Sequence, residues 1–226
     1  METFMGSVVA INQRARSEEQ KTLRRNAVLK VAELYFLEVG YEAFSMSHLA
    51  KKAGVAKGTL YLYFETREEI FLTLYEQSLI RWSQIFINDL PVSMSSKSYA
   101  QKLYSTAMAD GAFLPLLIRL EHIIEHNVAI PRLISSKQIF IDQVDAIAEV
   151  TSIALTLNKP QAIEVVKTMG VLLIGATQGD QGPSLDNEEL PKDVRDLIDS
   201  FSSEPLFTKN AVRIIEGIRS ESFTET

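Results

Sequence analysis

The chain has 226 residues, 46% of them apolar and 23% charged, with a formal net charge of −6 and no cysteine. That balance excludes a disordered or low-complexity chain, and the lack of thiols excludes disulfides, thiolate metal sites and thiol catalysis. The negative sum speaks against a uniformly basic nucleic-acid binder, yet the charge is uneven: residues 12 to 67 carry ten Lys/Arg against six Asp/Glu (+4), and residues 83 to 226 carry twelve against nineteen (−7). The first stretch can face phosphates while the remainder stays acidic.

The chain is rich in Leu, Ala, Ile, Glu and Lys and β-type alternation is sparse, so an all-α fold is predicted. The N-terminus has no cationic run before a long apolar core, so no signal peptide is expected. The longest apolar stretches, Phe113 to Ile118 and Gly170 to Ala176, fall short of the roughly 20 residues a membrane span needs. A cytoplasmic protein without a membrane partner is expected.

Residues 1 to 16 have no clear period and are read as an arm. Ser17, with Gln20 three residues on, can open a helix as a capping box. Leu23, Ala27, Leu29, Val31, Leu34, Tyr35 and Leu37 then supply an apolar stripe, and Gly40 stops the helix. Residues 45 to 64 read as two short helices around a glycine turn. Ser45 caps the first, with Leu49, Ala50 and Ala53 inward. Gly54 supplies a positive φ, and Val55 plugs the gap. Leu60 and Phe64 face the core from the second helix, which leaves Lys57, Thr59, Tyr61, Leu62 and Tyr63 on outer faces. Two helices joined by such a turn, with polar groups on the second, form the geometry that enters a major groove. Gly58 lets backbone approach DNA closely, and the first-turn N–H groups favour an anion. Thr66-Arg67-Glu68-Glu69 opens the next helix as a capping box, and Pro91 with the Ser-rich run to Ser98 ends it.

The stretch Leu49-Ala50, Ala53-Gly54-Val55, Lys57-Gly58-Thr59-Leu60-Tyr61, Tyr63-Phe64 resembles the TetR family of bacterial regulators. Phe36-Leu37-Glu38-Val39-Gly40-Tyr41 before it and Arg67-Glu68-Glu69-Ile70 after it fit the same pattern. The resemblance implies a three-helix DNA-binding domain with a helix-turn-helix, followed by a larger helical domain for ligand binding and dimerisation. On that reading, residues 1–21 hold the arm and the start of the first helix, 22–82 the DNA-binding domain, and 83–226 the effector and dimer domain. The resemblance places Ser47 against the DNA backbone or a base. It puts Lys57, Gly58 and Thr59 at the leading edge of the recognition helix, Tyr61 and Tyr63 on its phosphate-facing and groove-facing sides, and Arg67 at a phosphate. Two positions depart from the family pattern: Ala56 stands where a capping Ser is common, and His48 where a capping box often has an acid.

Past residue 98, helices are predicted near 98–110, 112–127, 131–157, 160–178, 191–202 and 205–219, with a loop over 179–190. Pro131 and Pro160 fit first helical turns. Arg119, His122, Glu125 and Asn127 interrupt the apolar 112–127 segment, either as a ligand head-group site or as a solvated face. Trp82, Met108, Phe113, Phe140 and Met169, with Arg119, His122 and His126, are the candidate lining of a cavity for a hydrophobic effector; core packing explains the apolar ones equally well. His122 and His126 stand four apart, but no third ligand can be assigned, so no metal site is expected. Neither a cofactor motif nor a nucleophile–base pair is present, so no enzyme is expected. Gly170, Gly175 and Ala176, together with Ala211, Val212, Ile214, Ile215 and Ile218, mark 160–178 and 205–219 as the candidate homodimer surface. The function expected from the resemblance is a homodimeric repressor of a palindromic double-stranded DNA operator, released by a small-molecule effector. The competing reading is a helical protein-interaction module.

Overall fold

The computed structural model describes residues 2–178 and 189–221, with side chains from residue 18 onward. Among the described residues the secondary structure is helical throughout, without a strand. The chain divides into two compact units between Leu74 and Tyr75. This division and the boundary read from the sequence both fall within one helix.

In the first unit, α1 spans Glu2–Ala43 and is broken at Gly40, whose φ of 73° lies in the left-handed region. The helix runs through the residues read as an irregular arm, so Ser17 does not begin it. Its buried side is Val28, Leu29, Ala32, Tyr35 and Phe36, whereas Leu23, Leu34 and Leu37 are exposed. At about 100° per residue those three leucines lie roughly half a turn from the buried face. Apolar residues ring this helix, and periodicity alone admitted two stripes. Next come α2 (Met46–Lys52) and α3 (Lys57–Tyr61). Gly54 between them has φ 66°, and the Val55 amide donates to the Ala50 carbonyl at 3.0 Å. Leu49, Ala50, Leu60 and Phe64 are buried, as their spacing predicts. The core of this unit is aromatic: Phe71, on α4 (Arg67–Asp89), packs against Phe36, Tyr41 and Phe44 with ring centroids 5.5, 4.7 and 4.8 Å away.

The second unit begins at Tyr75 within α4. It continues through α5 (Ser96–Ala109), α6 (Phe113–Arg119), α7 (Ile130–Leu155), α8 (Lys159–Thr177), α9 (Lys192–Ser200) and α10 (Ser203–Ser220). Pairs α5/α10, α7/α8 and α8/α10 pack together. Pro131 and Pro160 occupy first turns, and α8 opens on an Asn158/Gln161 capping box. Gln161 also donates through Nε2 to the Ile218 carbonyl at 2.9 Å, tying α8 to α10. The helix predicted over 112–127 is not continuous. After α6 comes a π turn, Leu120–Ile124, and then a 3-10 turn, Glu125–Asn127. Of the loop predicted over 179–190, residues 179–188 lie outside the described residues.

Candidate nucleic-acid interface and effector cavity

The helix-turn-helix is held by local bonds. The Ser45 hydroxyl accepts from the His48 amide at 3.3 Å and lies 2.9 Å from its ring Nδ1, so His48 stays inside the cap in place of an acid. Ala56 gives α3 no side-chain cap. Outside this frame Ser47, Lys57, Gly58 and Tyr61 are exposed, and Thr59 and Tyr63 are half-buried. A Cβ built on Gly58 meets no protein atom within 4 Å, so the protein's own packing does not require a glycine there. Leu62, next to these residues and outside the expected contact set, is 81% exposed.

Arg67 has a different setting from the other expected contacts. Its Nη1 donates to the Phe44 and Tyr41 carbonyls at 3.2 and 3.5 Å, its Nη2 to the Tyr41 hydroxyl at 3.1 Å, and its Nε to Glu68 at 3.0 Å. The guanidinium also lies over the Tyr41 ring, 4.5 Å from its centroid. It joins the end of α1 to the start of α4. Burial raises the Tyr41 phenol above its ordinary value, and the Glu68 carboxylate adds to the shift. Among the basic residues near the N-terminus, Arg25 sits over the Phe64 ring at 4.7 Å and donates to Thr73. Lys21 pairs with Glu18, and Arg24 is exposed. The side chains of Arg14 and Arg16 lie outside the described residues.

The second unit holds a cavity of about 240 Å³, walled by α4, α5, α6, the π turn, α7 and α8. Trp82, Phe113, His122 and Phe140 line it as expected. Four expected residues do not. Met108 is exposed, and Met169 is fully buried in the core. Arg119 folds back to the Pro115 carbonyl at 3.0 Å. His126 lies beyond the π turn, which breaks the four-residue spacing that would have set it beside His122. The sequence reading missed Tyr75, Leu79, Glu121, Lys137 and Gln143 in the wall. Trp82, Phe113 and Tyr75 form a stacked run, with centroid separations of 4.9 and 6.2 Å. The Trp82 indole donates to Thr106 at 3.1 Å. Glu125 pairs with Lys137 at 2.6 Å, and Glu76 receives a two-pronged bond from Arg132 at 2.7 and 2.6 Å. Among the described residues no His/Asp/Glu cluster could hold a metal ion.

On the candidate dimer helices, α10 buries Ala211, Ile215 and Ile218 within its own unit, with Val212 and Ile214 half-buried. On α8, Gly175 is exposed and Val171 is 72% exposed.

Residues 28–74 match the family model for bacterial regulatory proteins of the tetR family, and residues 76–218 match the tetracyclin repressor-like C-terminal domain. Among curated proteins, the chain is 30% identical over 79 residues to the fatty acid metabolism regulator protein of Bacillus subtilis, a stretch covering 35% of this chain and 41% of that regulator. It is 36% identical over 61 residues to the uncharacterised HTH-type transcriptional regulator YhgD of the same organism, covering 27% of this chain and 32% of that one. The chain thus spans less than half the length of these relatives. Among solved structures, a TetR transcriptional regulator from Rhodococcus sp. RHA1 is similar over 89% of this chain and 98% of its own, with a TM-score of 0.58 at 13% identity. A possible TetR family regulator from Streptomyces coelicolor gives a TM-score of 0.57 at 14% identity, over 87% of this chain and 98% of that one. These two likenesses concern the fold. With both family models spanning most of its length, the chain belongs to the tetR family of bacterial regulatory proteins.

Proposed function

We propose that the protein is a cytoplasmic, homodimeric repressor that binds a palindromic operator and leaves it when a small apolar effector occupies the cavity of the second unit. The observation that carries the reading is the outer side of α3 and the turn after it, where Lys57 and Tyr61 are exposed and Thr59 and Tyr63 half-buried, while Leu60 and Phe64 anchor the segment in the core. Lys57 and Tyr61 suit phosphates, Thr59 and Tyr63 suit base edges, and Ser47 reaches the backbone from α2. The open Gly58 allows close approach. Arg67 supports this surface from behind, given the acceptors it already holds. The exposed Val171 and Gly175 of α8, with α10 alongside, supply the self-association surface. Two copies of α3 must then meet major grooves about 34 Å apart, and an effector acts by favouring dimers whose spacing does not match.

The test is selection of bound duplexes from a random pool, repeated with a Lys57→Ala, Thr59→Ala, Tyr63→Ala triple variant. The expected outcome is a palindromic sequence bound by the wild type and lost by the variant, whose oligomeric state is unchanged. A variant that still binds the selected duplex would remove the reading, as would a wild type that enriches no sequence at low ionic strength.

A further inference from the structure

The cavity of the second unit has a polar group in its wall that the fold does not satisfy. The Tyr75 hydroxyl is buried and makes no hydrogen bond to any described residue. A phenol O–H is a donor, and leaving it unmade in an apolar wall is costly; a ligand oxygen that accepts from it recovers the loss. The surroundings are rings: Tyr75 stacks on Phe113, Phe113 stacks on Trp82, and all three line the cavity. A second uncharged polar group, Gln143, shares the lining. One end of its amide is bonded to the buried Ser83 hydroxyl, and the other end makes no hydrogen bond to a described residue.

The charged side chains of the same wall are answered by each other or by water. Both signs are present. Glu121, Lys137 and Lys167 are exposed, as is His122, and the half-buried carboxylate, Glu125, is held by Lys137 at 2.6 Å. A carboxylate, phosphate or ammonium head entering the cavity sheds its water and finds no buried counter-charge left over to replace it, a cost that an uncharged head escapes. Size sets a further limit: 240 Å³ holds about eight groups of water size at ~30 Å³ each, which suits one ring with a short side chain.

We infer that this cavity takes an uncharged apolar molecule of single-ring size carrying one carbonyl, a neutral ester or ketone, with the Tyr75 O–H donating to the carbonyl oxygen and the apolar body lying against Trp82 and Phe113. The ligand class is a deepening of the effector reading and takes its regulatory meaning from it.

The sole tryptophan of the chain, Trp82, lines the cavity and is a built-in optical reporter. Methyl phenylacetate, phenylacetate, phenethylamine and butylbenzene share a benzyl body and carry, in that order, a neutral carbonyl, an anion, a cation and no polar atom. Each is titrated into the full chain at neutral pH, with Trp82 fluorescence and thermal stabilisation as two readouts. The ester is expected to bind saturably and at least about tenfold more tightly than either charged probe. Tyr75→Phe keeps the ring and removes only the hydroxyl. It is expected to weaken the ester about tenfold, to leave butylbenzene no weaker, and to leave the empty protein at least as stable as the wild type, because no bond within the protein is lost. Phenylacetate or phenethylamine binding as tightly as the ester would overturn the inference. So would an ester affinity indifferent to Tyr75→Phe, an empty Tyr75→Phe protein less stable than the wild type, or an ester that gives neither readout. Operator release is measured separately: an ester that binds without displacing the selected duplex leaves the ligand class standing and removes the effector reading.

Discussion

The Arg67 guanidinium lies 4.5 Å from the centroid of the Tyr41 ring and donates to that residue's hydroxyl at 3.1 Å. One side chain thereby answers both the ring and, together with the Phe44 carbonyl, the backbone where α1 ends. Its loss has a signature unlike that of a phosphate contact. Arg67→Ala is expected to destabilise the first unit by about 1–2 kcal/mol, at the low end because the guanidinium is partly solvated. DNA affinity should fall without a change in its salt slope, whereas Lys57→Ala should flatten that slope by roughly one phosphate's worth. Denaturant unfolding together with binding at several salt concentrations distinguishes the two variants.

Ala56 leaves α3 without an N-cap. Ala56→Ser supplies an oxygen for an orphan amide of the first turn and is expected to stabilise the protein by up to about 1 kcal/mol. Unfolding in denaturant reads this directly; a neutral or negative change would mean that the amides already have water or another partner.

Glu76 and Arg132 form a two-pronged pair whose side chains are 9% and 22% exposed. Removing Glu76 takes away the two bonds that hold the Arg132 guanidinium in a poorly solvated place. Glu76→Leu alone is expected to cost about 3 kcal/mol, and adding Arg132→Met is expected to recover most of it. A double-mutant cycle of unfolding free energies checks both halves.

Alkaline stability follows from two buried phenols. Burial raises Tyr75, and the neighbouring carboxylates add to it; burial also raises Tyr99, against a smaller opposing effect of its bond to Thr151 at 2.8 Å. Both hold their protons more tightly folded than unfolded. Their stabilisation is complete below the ordinary phenol value near 10 and is lost as pH rises above it. Ultraviolet titration of the seven tyrosines should leave at least two phenols protonated until the chain unfolds. Tyr99→Phe should reduce the loss of stability in alkali.

The helix-turn-helix was legible because its signals are local. Ser45, Gly54, Leu60 and Phe64 act within one or two turns of themselves, and each is found in its expected setting. What the residues alone left open depended on distance along the chain. Nothing near Arg67 in the sequence shows that its acceptors are backbone carbonyls 23 and 26 positions earlier. Leu23, Leu34 and Leu37 fit a helical period as well as the buried residues do, and only the packing of α1 chooses between the faces. Of the eight residues expected at the cavity, five apolar and three polar, half line it. Tyr75 was passed over because its spacing in α4 reads as ordinary core; its orphan hydroxyl emerges only once the surrounding helices close over it.

The π turn at Leu120–Ile124 has a consequence for how this wall can change. The Glu125 amide reaches back five residues, to the Leu120 carbonyl, so the turn contains one residue more than an α-helix would. A turn of this kind absorbs its extra residue locally, so deleting one residue inside it would tighten it to an α-helix and leave Glu125 on the face it holds now. A deletion in the regular helix before it would instead rotate everything after it by about 100° and carry Glu125 away from this wall. The wide turn is thus the one place in this segment where the chain could lose a codon and keep the chamber's side as it is.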